Sequence, residues 1–334
     1  MKLSSTVLNT GEGRQSQTVD RAPKVSIIIP AYNTAPLIAA CLVSVFSQTY
    51  HDFEVIVVND GSPDTPQLET VLEPYLARIV YLKQPNKRAA GARNTAIANA
   101  RGEWLAFLDS DDTWLPNHLA AQMELVAHDT NLDMVYCNGF RIGDQREFMA
   151  KCPSHGPATF AALIEERCQI PVSTVVVRKS SLVKAGLFDE QLAQCDDYDM
   201  WVRTAFHGAK IGYSRQVQVR LNGGRPGSLS QSSSKMAAAY LKILDKVNRT
   251  LPLNDSDRHV VEKRTQEIRA HYLVEQGKLL LGQQQFNEAL DHFSEANVLL
   301  PKPKLSLVLF GLKVAPRATG KIFSLWNRPP RGIA

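Results

Sequence analysis

Long apolar runs are missing from this chain: nowhere in its 334 residues do 18 or more apolar residues follow one another, which argues against a membrane-spanning helix. The leader MKLSSTVLNTGEGRQSQTVDRAP, residues 1–23, contains no apolar run of signal-peptide length. The expectation is a protein neither exported by a cleaved signal nor membrane-spanning. Cysteine is scarce as well. The five (Cys41, Cys137, Cys152, Cys168, Cys195) are odd in number and widely spaced, with no CxxC pair, so neither a disulfide framework nor a zinc site is expected and a reducing cytosol is the natural home. The first strand runs into PAYNTAP instead of a glycine fingerprint, which disfavours a Rossmann dehydrogenase. Residues 301–334 hold seven Lys or Arg and no acid, leaving the first 300 at −2 of a total of +5. The region before the tail therefore has no basic excess, and it lacks the interleaved aromatics of a nucleic-acid platform.

What is present is an α/β pattern. KVSIIIPAYN reads as a strand over about 25–29, FEVIVVNDGS as a second, RIVYL as a short third and EWLAFL as a fourth. Amphipathic helices fall between them: APLIAACLVSVFSQTY, roughly 66–77, and about 89–100. Such alternation predicts a parallel sheet covered by helices on both faces, with ligands bound beyond the carboxyl ends of the strands. From 133 to 231 the pattern turns mixed: strands at DMVYCNGF, STVVVRKS and IGYSRQVQVRL, a helix at DYDMWVRTAFHG, and the loop NGGRPGSLSQSSS. Helix follows. The spacing of Gly277, Phe286, Ala289, Phe293, Ala296 and Pro301 resembles a single tetratricopeptide repeat, and one copy is too few for a solenoid. The expected organisation is a flexible leader (1–23), an α/β region (24–231), a helical region with a hairpin (232–303) and a basic, partly apolar tail (304–334). In the tail, LSLVLFGLKV beside Lys313, Arg317 and Lys321, with Phe323 and Trp326 near its end, suits either an anionic membrane surface or a helix docked on the protein itself.

WLAFLDSDDTW ends a buried strand in Asp109, Asp111 and Asp112. Three neighbouring carboxylates repel one another unless a cation or several donors neutralise them. Hard oxygen ligands favour Mg2+ or Mn2+, which bind through one or two carboxylates and complete their shell with water and phosphate oxygens. A solvated acidic loop is the other reading of the cluster taken alone.

The ordered set VSIIIPAYN, VIVVNDGSPD, GARNTAIANARGEWLAFLDSDDTWLP, VVVRKSSLVKAGLFDE and DDYDMWVR resembles the family 2 inverting glycosyltransferases of the GT-A fold, across about 24–231. The resemblance implies a Rossmann-like mixed sheet flanked by helices, then a smaller all-α region. It implies transfer of a sugar from a nucleotide-diphosphate sugar, UDP-linked for preference, to a hydroxyl of a glycan or lipid-linked acceptor. Cell-surface polysaccharide or lipopolysaccharide assembly is the implied setting, in the cytoplasm or peripherally at the inner face of the plasma membrane. Pro30, Ala31, Tyr32 and Asn33 would line the nucleotide pocket, Asp60 would bind the base, and Asp109 with Ser110 would sit near the ribose. Arg93 would lie near the diphosphate. Asp111, with Asp112 as a second candidate, would ligate Mn2+ or Mg2+. Asp197 would be the general base. Asp196, standing where many members carry Glu, and Trp201 would belong to the acceptor pocket.

Each residue also has a plainer reading: Asp60 as a turn residue, Arg93 as an exposed helix cation, Trp201 as core. Many relatives carry a histidine in the loop after Arg220, and none stands here, so Arg220 and Arg225 stay outside the expected catalytic set. A sugar nucleotidyltransferase and a noncatalytic nucleotide-sugar- or protein-binding module remain as alternatives.

Overall fold

The computed structural model describes residues 21–142, 147–150, 157–222 and 233–320. The strands are β1 (Val25–Ala31), β2 (Phe53–Asp60), β3 (Val80–Gln84), β4 (Trp104–Phe107), β5 (Thr113–Trp114), β6 (Met134–Ile142), β7 (Glu147–Ala150), β8 (Val175–Arg178) and β9 (Ile211–Asn222). Helices α1 (Ala35–Phe46), α2 (Thr65–Leu72), α3 (Arg88–Asn99), α4 (His118–His128), α5 (Phe160–Ile164), α6 (Lys179–Ala185) and α7 (Asp196–Phe206) cover the sheet. Four more follow: α8 (Ser233–Thr250), α9 (Asp255–Gly282), α10 (Phe286–Leu299) and α11 (Pro303–Val314). The helix expected near 66–77 is split, because Pro74 follows the end of α2 and the chain tightens into a 3-10 turn over Glu73–Arg78.

Strands run in the order β3-β2-β1-β4-β8-β6-β9-β5, with β7 added on β6. The first four are parallel and in register, so that Ile28 faces Ile56 on one side and Phe107 on the other. Beyond β4 the sheet becomes mixed: β8 is antiparallel to both β4 and β6, while β9 is parallel to β6. This is the Rossmann-like mixed sheet flanked by helices that the sequence implies. Its parallel half gathers the carboxyl ends of β1, β2 and β4 at one edge.

Strand residues alternate between two apolar layers, as the period of two requires. Ile28, Ile56, Val58, Leu105 and Phe107 enter one cluster, and Val25, Ile27, Ile29, Val55, Val57, Trp104 and Ala106 the other. Burial on both faces explains why these strands read as unbroken apolar runs. The first cluster continues into Ala237, Ile243, Leu244 and Val247 of α8 and Val261 and Ile268 of α9. The start of the helical region thus shares the core of the sheet, and the apolar interior crosses residue 232.

A third cluster joins the second half of α9 to α10 and α11 through Leu273, Leu281, Ala289, Phe293, Ala296, Leu305 and Leu312. Five of the six residues at the expected repeat spacing meet here, all but Pro301. Gly277 is buried under the Phe293 ring, which lies 2.8 Å from where a Cβ would stand, and Phe286 packs at the cluster's edge. The result is a helical hairpin extended by one helix. Among the described residues no helix is long and apolar enough to cross a membrane.

The contact at Gly277 yields a prediction. In Gly277→Ala the helix propensity gain of about 1 kcal/mol opposes an overpacking cost of about 1–3 kcal/mol. Because Phe293 is only 1% exposed and has nowhere to swing, overpacking wins. Urea titration should show a less stable protein, with amide exchange accelerated in α9 and α10 first.

Candidate active site

The strand ends and the start of α7 meet around one guanidinium. Arg93, on α3, is 4% exposed. Its Nη1 donates to Asp196 Oδ2 at 2.5 Å and its Nη2 to Asp109 Oδ1 at 2.7 Å. Burial by itself would lower its pKa, but Asp196, Asp109 and Asp197 raise it and keep it charged. The side chain is therefore neither an exposed helix cation nor a group open to a ligand. It joins the acid at the end of β4 to the acids that open α7.

Those acids sit where a helix tolerates them best. Asp196, Asp197 and Asp199 occupy the first turn of α7, where the orphan N–H groups and helix dipole favour negative charge. Cys195 precedes them in the left-handed region at φ 59°. Asp197 Oδ1 accepts from the N–H of Tyr198 at 2.8 Å. Burial first, and then the charge of Asp196, push the Asp197 carboxyl up to about 6, against the opposing pull of Arg93 and the Tyr198 N–H. It nevertheless keeps part of its surface exposed.

Below these acids the helix is clamped. Asp199 is fully buried and its Oδ2 accepts from Arg203 Nη2 at 2.6 Å and from Lys246 Nζ of α8 at 3.0 Å. Lys246 also reaches Asp189 at 2.6 Å, and Arg203 donates to the Leu187 carbonyl at 2.7 Å. Trp201, expected in the acceptor pocket, is 1% exposed and lies between Phe107 and Phe188, with Nε1 donating to the Ile170 carbonyl at 3.1 Å. That corrects the expectation: three residues on from Tyr198, the ring faces the sheet. Trp201 is core and anchors α7.

In the acidic cluster the three carboxylates differ. Asp109 is half-buried, and its N–H donates to Ser173 Oγ at 3.1 Å. Asp111 is half-exposed. Asp112 is buried and accepts from Ser173 Oγ at 2.5 Å and from the Asn222 N–H of β9 at 2.7 Å. Burial and the charges of Asp109 and Asp111 raise its pKa to about 8. Asp112 holds β9 to the end of β4. Among the described residues no group of three or more His, Cys, Asp or Glu side chains is assembled to hold a metal by itself. The donor chemistry fits a hard divalent cation that takes one or two carboxylates and completes its shell from phosphate and water. The elevation of Asp112 by its two neighbours marks a cluster short of positive charge.

The expected nucleotide side lies at the same strand ends. Asp60 is buried, and its Oδ1 accepts from Gln84 Nε2 at 2.6 Å and the Lys87 N–H at 2.8 Å, tying β2 to the loop before α3. Its turn role and its place at a strand end coexist. Pro30 is half-buried, Tyr32 is 49% exposed and Asn33 is exposed at φ 53°. Ala31, expected to line the nucleotide pocket, is fully buried, backbone included, among apolar residues. Ser110 is buried too, with Oγ donating to Thr34 Oγ1 at 3.0 Å, which joins the acidic loop to the one after β1. Arg225 and the rest of the glycine and serine loop lie outside the described residues.

Sequence reasoning missed Ser173, Asn222, Lys246 and Asp64. Ser173 touches both Asp109 and Asp112 from 64 and 61 positions away, and no local pattern announces such a pairing. Asp64 has a signal: in NDGSPD it stands just before a helix, and it accepts from the Ala35 N–H at 2.8 Å, pinning the start of α1.

Comparison with known proteins places this geometry. The profile described as Glycosyl transferase family 2 matches residues 26–190. An uncharacterized glycosyltransferase of Rickettsia prowazekii is 31% identical over 205 residues, 60% of this chain and 64% of the relative. The Escherichia coli UDP-Glc:alpha-D-GlcNAc-diphosphoundecaprenol beta-1,3-glucosyltransferase WfgD is 36% identical over 179 residues, 53% of this chain and 68% of WfgD. The chain spans less than two thirds of the length of the Rickettsia relatives it matches. The crystal structure of S. aureus TarS in complex with UDP-GlcNAc superposes with a TM-score of 0.64 at 18% identity, covering 90% of each chain, a likeness of fold. With the family's profile laid over the strands that carry Asp60 and Asp109, and WfgD matched over most of its length, the chain belongs to glycosyl transferase family 2.

Proposed function

We propose that the protein is an inverting glycosyltransferase that moves a sugar from a nucleotide-diphosphate sugar to a hydroxyl of a glycan or lipid-linked acceptor in cell-surface polysaccharide synthesis. One observation carries the reading: Arg93 bridges Asp109, at the strand ends where a nucleotide would bind, and Asp196, beside the Asp197 carboxyl that burial pushes up to about 6. An inverting reaction needs a proton acceptor on one side of the sugar and charge stabilisation of the leaving diphosphate on the other. WfgD, by its name, takes glucose from UDP to a diphosphoundecaprenol-linked sugar, which supports the donor and acceptor classes.

In this reading Asp197 takes the proton from the acceptor hydroxyl. Its pKa near 6 leaves it ionised at neutral pH yet more basic than an ordinary carboxylate, the compromise a general base requires. Arg93 acts electrostatically: its charge keeps Asp197 from rising further. Asp60, Pro30, Tyr32 and Asn33 receive the nucleoside, together with Asp109. Asp111 is the leading metal ligand, and Asp112 orients the cluster through Ser173 and Asn222. Mn2+ or Mg2+, when bound there, supplies positive charge to the leaving diphosphate.

The reading is tested with UDP, GDP and dTDP sugars in the presence of manganese, magnesium or chelator. Metal-dependent release of one nucleoside diphosphate is the expected result; donor binding with no release, even when membrane extract supplies acceptor, would sink the transferase assignment.

Two variants separate the roles. Asp197→Asn should reduce transfer by about 10^2–10^4-fold while donor affinity holds, and the wild-type rate should climb with pH through about 6 and then level off. Its stability effect has the opposite sign to a paired carboxylate. The folded pKa exceeds the unfolded one, so the folded state binds more protons between about 4 and 6, and ionised Asp197 is a burden at neutral pH. Asp197→Asn should then melt no lower than wild type at pH 7.5. Arg93→Met should cost about 3 kcal/mol and move the acidic limb of the rate profile to higher pH. Arg93→Lys, which lacks a fork to reach both acids, should restore the profile only in part.

A further inference from the structure

Helix α11 carries two apolar stripes where a docked helix needs one. Leu305, Leu309 and Leu312 face α9 and α10; Leu305 and Leu312 are buried there and Leu309 packs on the same cluster. Leu307, Phe310 and Val314, at i, i+3 and i+7, share the other side. They are 68%, 65% and 67% exposed. Single exposed apolar residues are ordinary on protein surfaces, but three aligned along a helix of 12 residues form a face with no partner in the chain's described residues.

Charge says which partner fits. Lys302, Lys304, Lys313 and Arg317 are all exposed around this face, and Lys304 stands one turn before Leu307, beside the stripe. No acidic residue occurs between 301 and 334. The acids of α10 keep to a stripe of their own, Glu288, Asp291 and Glu295, and Glu295 is paired with Arg269 at 2.8 Å. An apolar strip bordered by cations alone matches a bilayer whose acyl boundary accepts Leu, Phe and Val and whose headgroups are anionic. A water-soluble protein partner would have to offer the same combination of grease and negative charge.

We propose that the outer face of α11 docks in the plane of an anionic phospholipid bilayer, with Leu307, Phe310 and Val314 at the acyl boundary and the lysines among the headgroups. This goes beyond the transferase reading and does not require it. It also places the protein at the surface where a lipid-linked acceptor would be met.

Flotation of the full chain with phosphatidylcholine vesicles, with and without phosphatidylglycerol, tests it without any donor sugar. Binding should need phosphatidylglycerol and should weaken progressively as added salt shortens the Debye length from about 10 Å to about 3 Å. Leu307→Ser with Phe310→Ser should lower vesicle partition at least about tenfold. Lys304→Glu with Lys313→Glu should do the same and remove the salt dependence. Neither pair should change the unfolding temperature or donor hydrolysis, since these side chains contribute to neither the core nor the site. Equal partition onto neutral vesicles, or none onto anionic ones, would overturn the proposal. So would a wild-type dimer that the serine variant dissociates, which would assign the face to a second copy of the chain. A clear fall in unfolding temperature in the serine variant would assign it to residues 321–334 folding back. Each failure leaves the assay for nucleotide release untouched.

Discussion

Everything at the site turns on one buried positive charge among five nearby carboxylates. Asp109, Asp111 and Asp112 follow β4, and Asp196 and Asp197 open α7; Arg93 reaches one acid from each group. A desolvated guanidinium is costly to bury and is tolerated only when its donors are matched by good acceptors. Here the matching acceptors come from elements 103 and 16 positions away. That requirement forces α3, the end of β4 and the start of α7 into one arrangement. The same charge holds the Asp197 carboxyl below where burial and Asp196 alone would push it, so the packing of the site bears on how that acid titrates.

The second constraint is the parallel register of β1, β2 and β4, which brings their carboxyl ends to one edge. Loops leaving such an edge converge, and short hydrogen bonds lock them together: Ser110 to Thr34, Asn33 to Ser62, Ala35 to Asp64, Asp60 to Lys87. Much of this was legible in the sequence. The strand and helix alternation depends on local periodicity, and the acidic run after EWLAFL is itself local. What was hidden is the pairing of distant residues. Trp201 illustrates the difference: a tryptophan near two acids invites a role in binding, but one turn deeper along α7 than Asp197 it is buried in the aromatic trio with Phe107 and Phe188. Arg93 shows the converse, since GARN on a helix reads as solvent-facing until α7 closes over it.

The boundary near residue 232 separates composition more sharply than it separates the core. Lys246 of α8 reaches Asp189 before α7 and Asp199 within it. Asp199 is fully buried and Arg203 sits beside it, so this contact is an ion network in low dielectric whose disruption would strand a charge. The apolar cluster under the sheet runs on into α8 and the first half of α9. The helix bearing Asp196 and Asp197 is thus fixed from two sides, by Arg93 at its tip and by α8 along its flank.

This gives the helical region a physical purpose that does not depend on the tetratricopeptide-like spacing. A single repeat cannot bury its own faces; in this chain α9 solves that by being long enough for two cores. Its first half completes the sheet's interior through Val261 and Ile268, and its second half, from Leu273 to Leu281, is covered by α10 and α11. One rigid helix of 28 residues, about 42 Å at the usual rise, then spans from the support of α7 to the hairpin that presents the outer face of α11. A stiff connection of that length fixes the separation between the acids at the start of α7 and the outer face of α11, and a flexible linker of the same residue count would not.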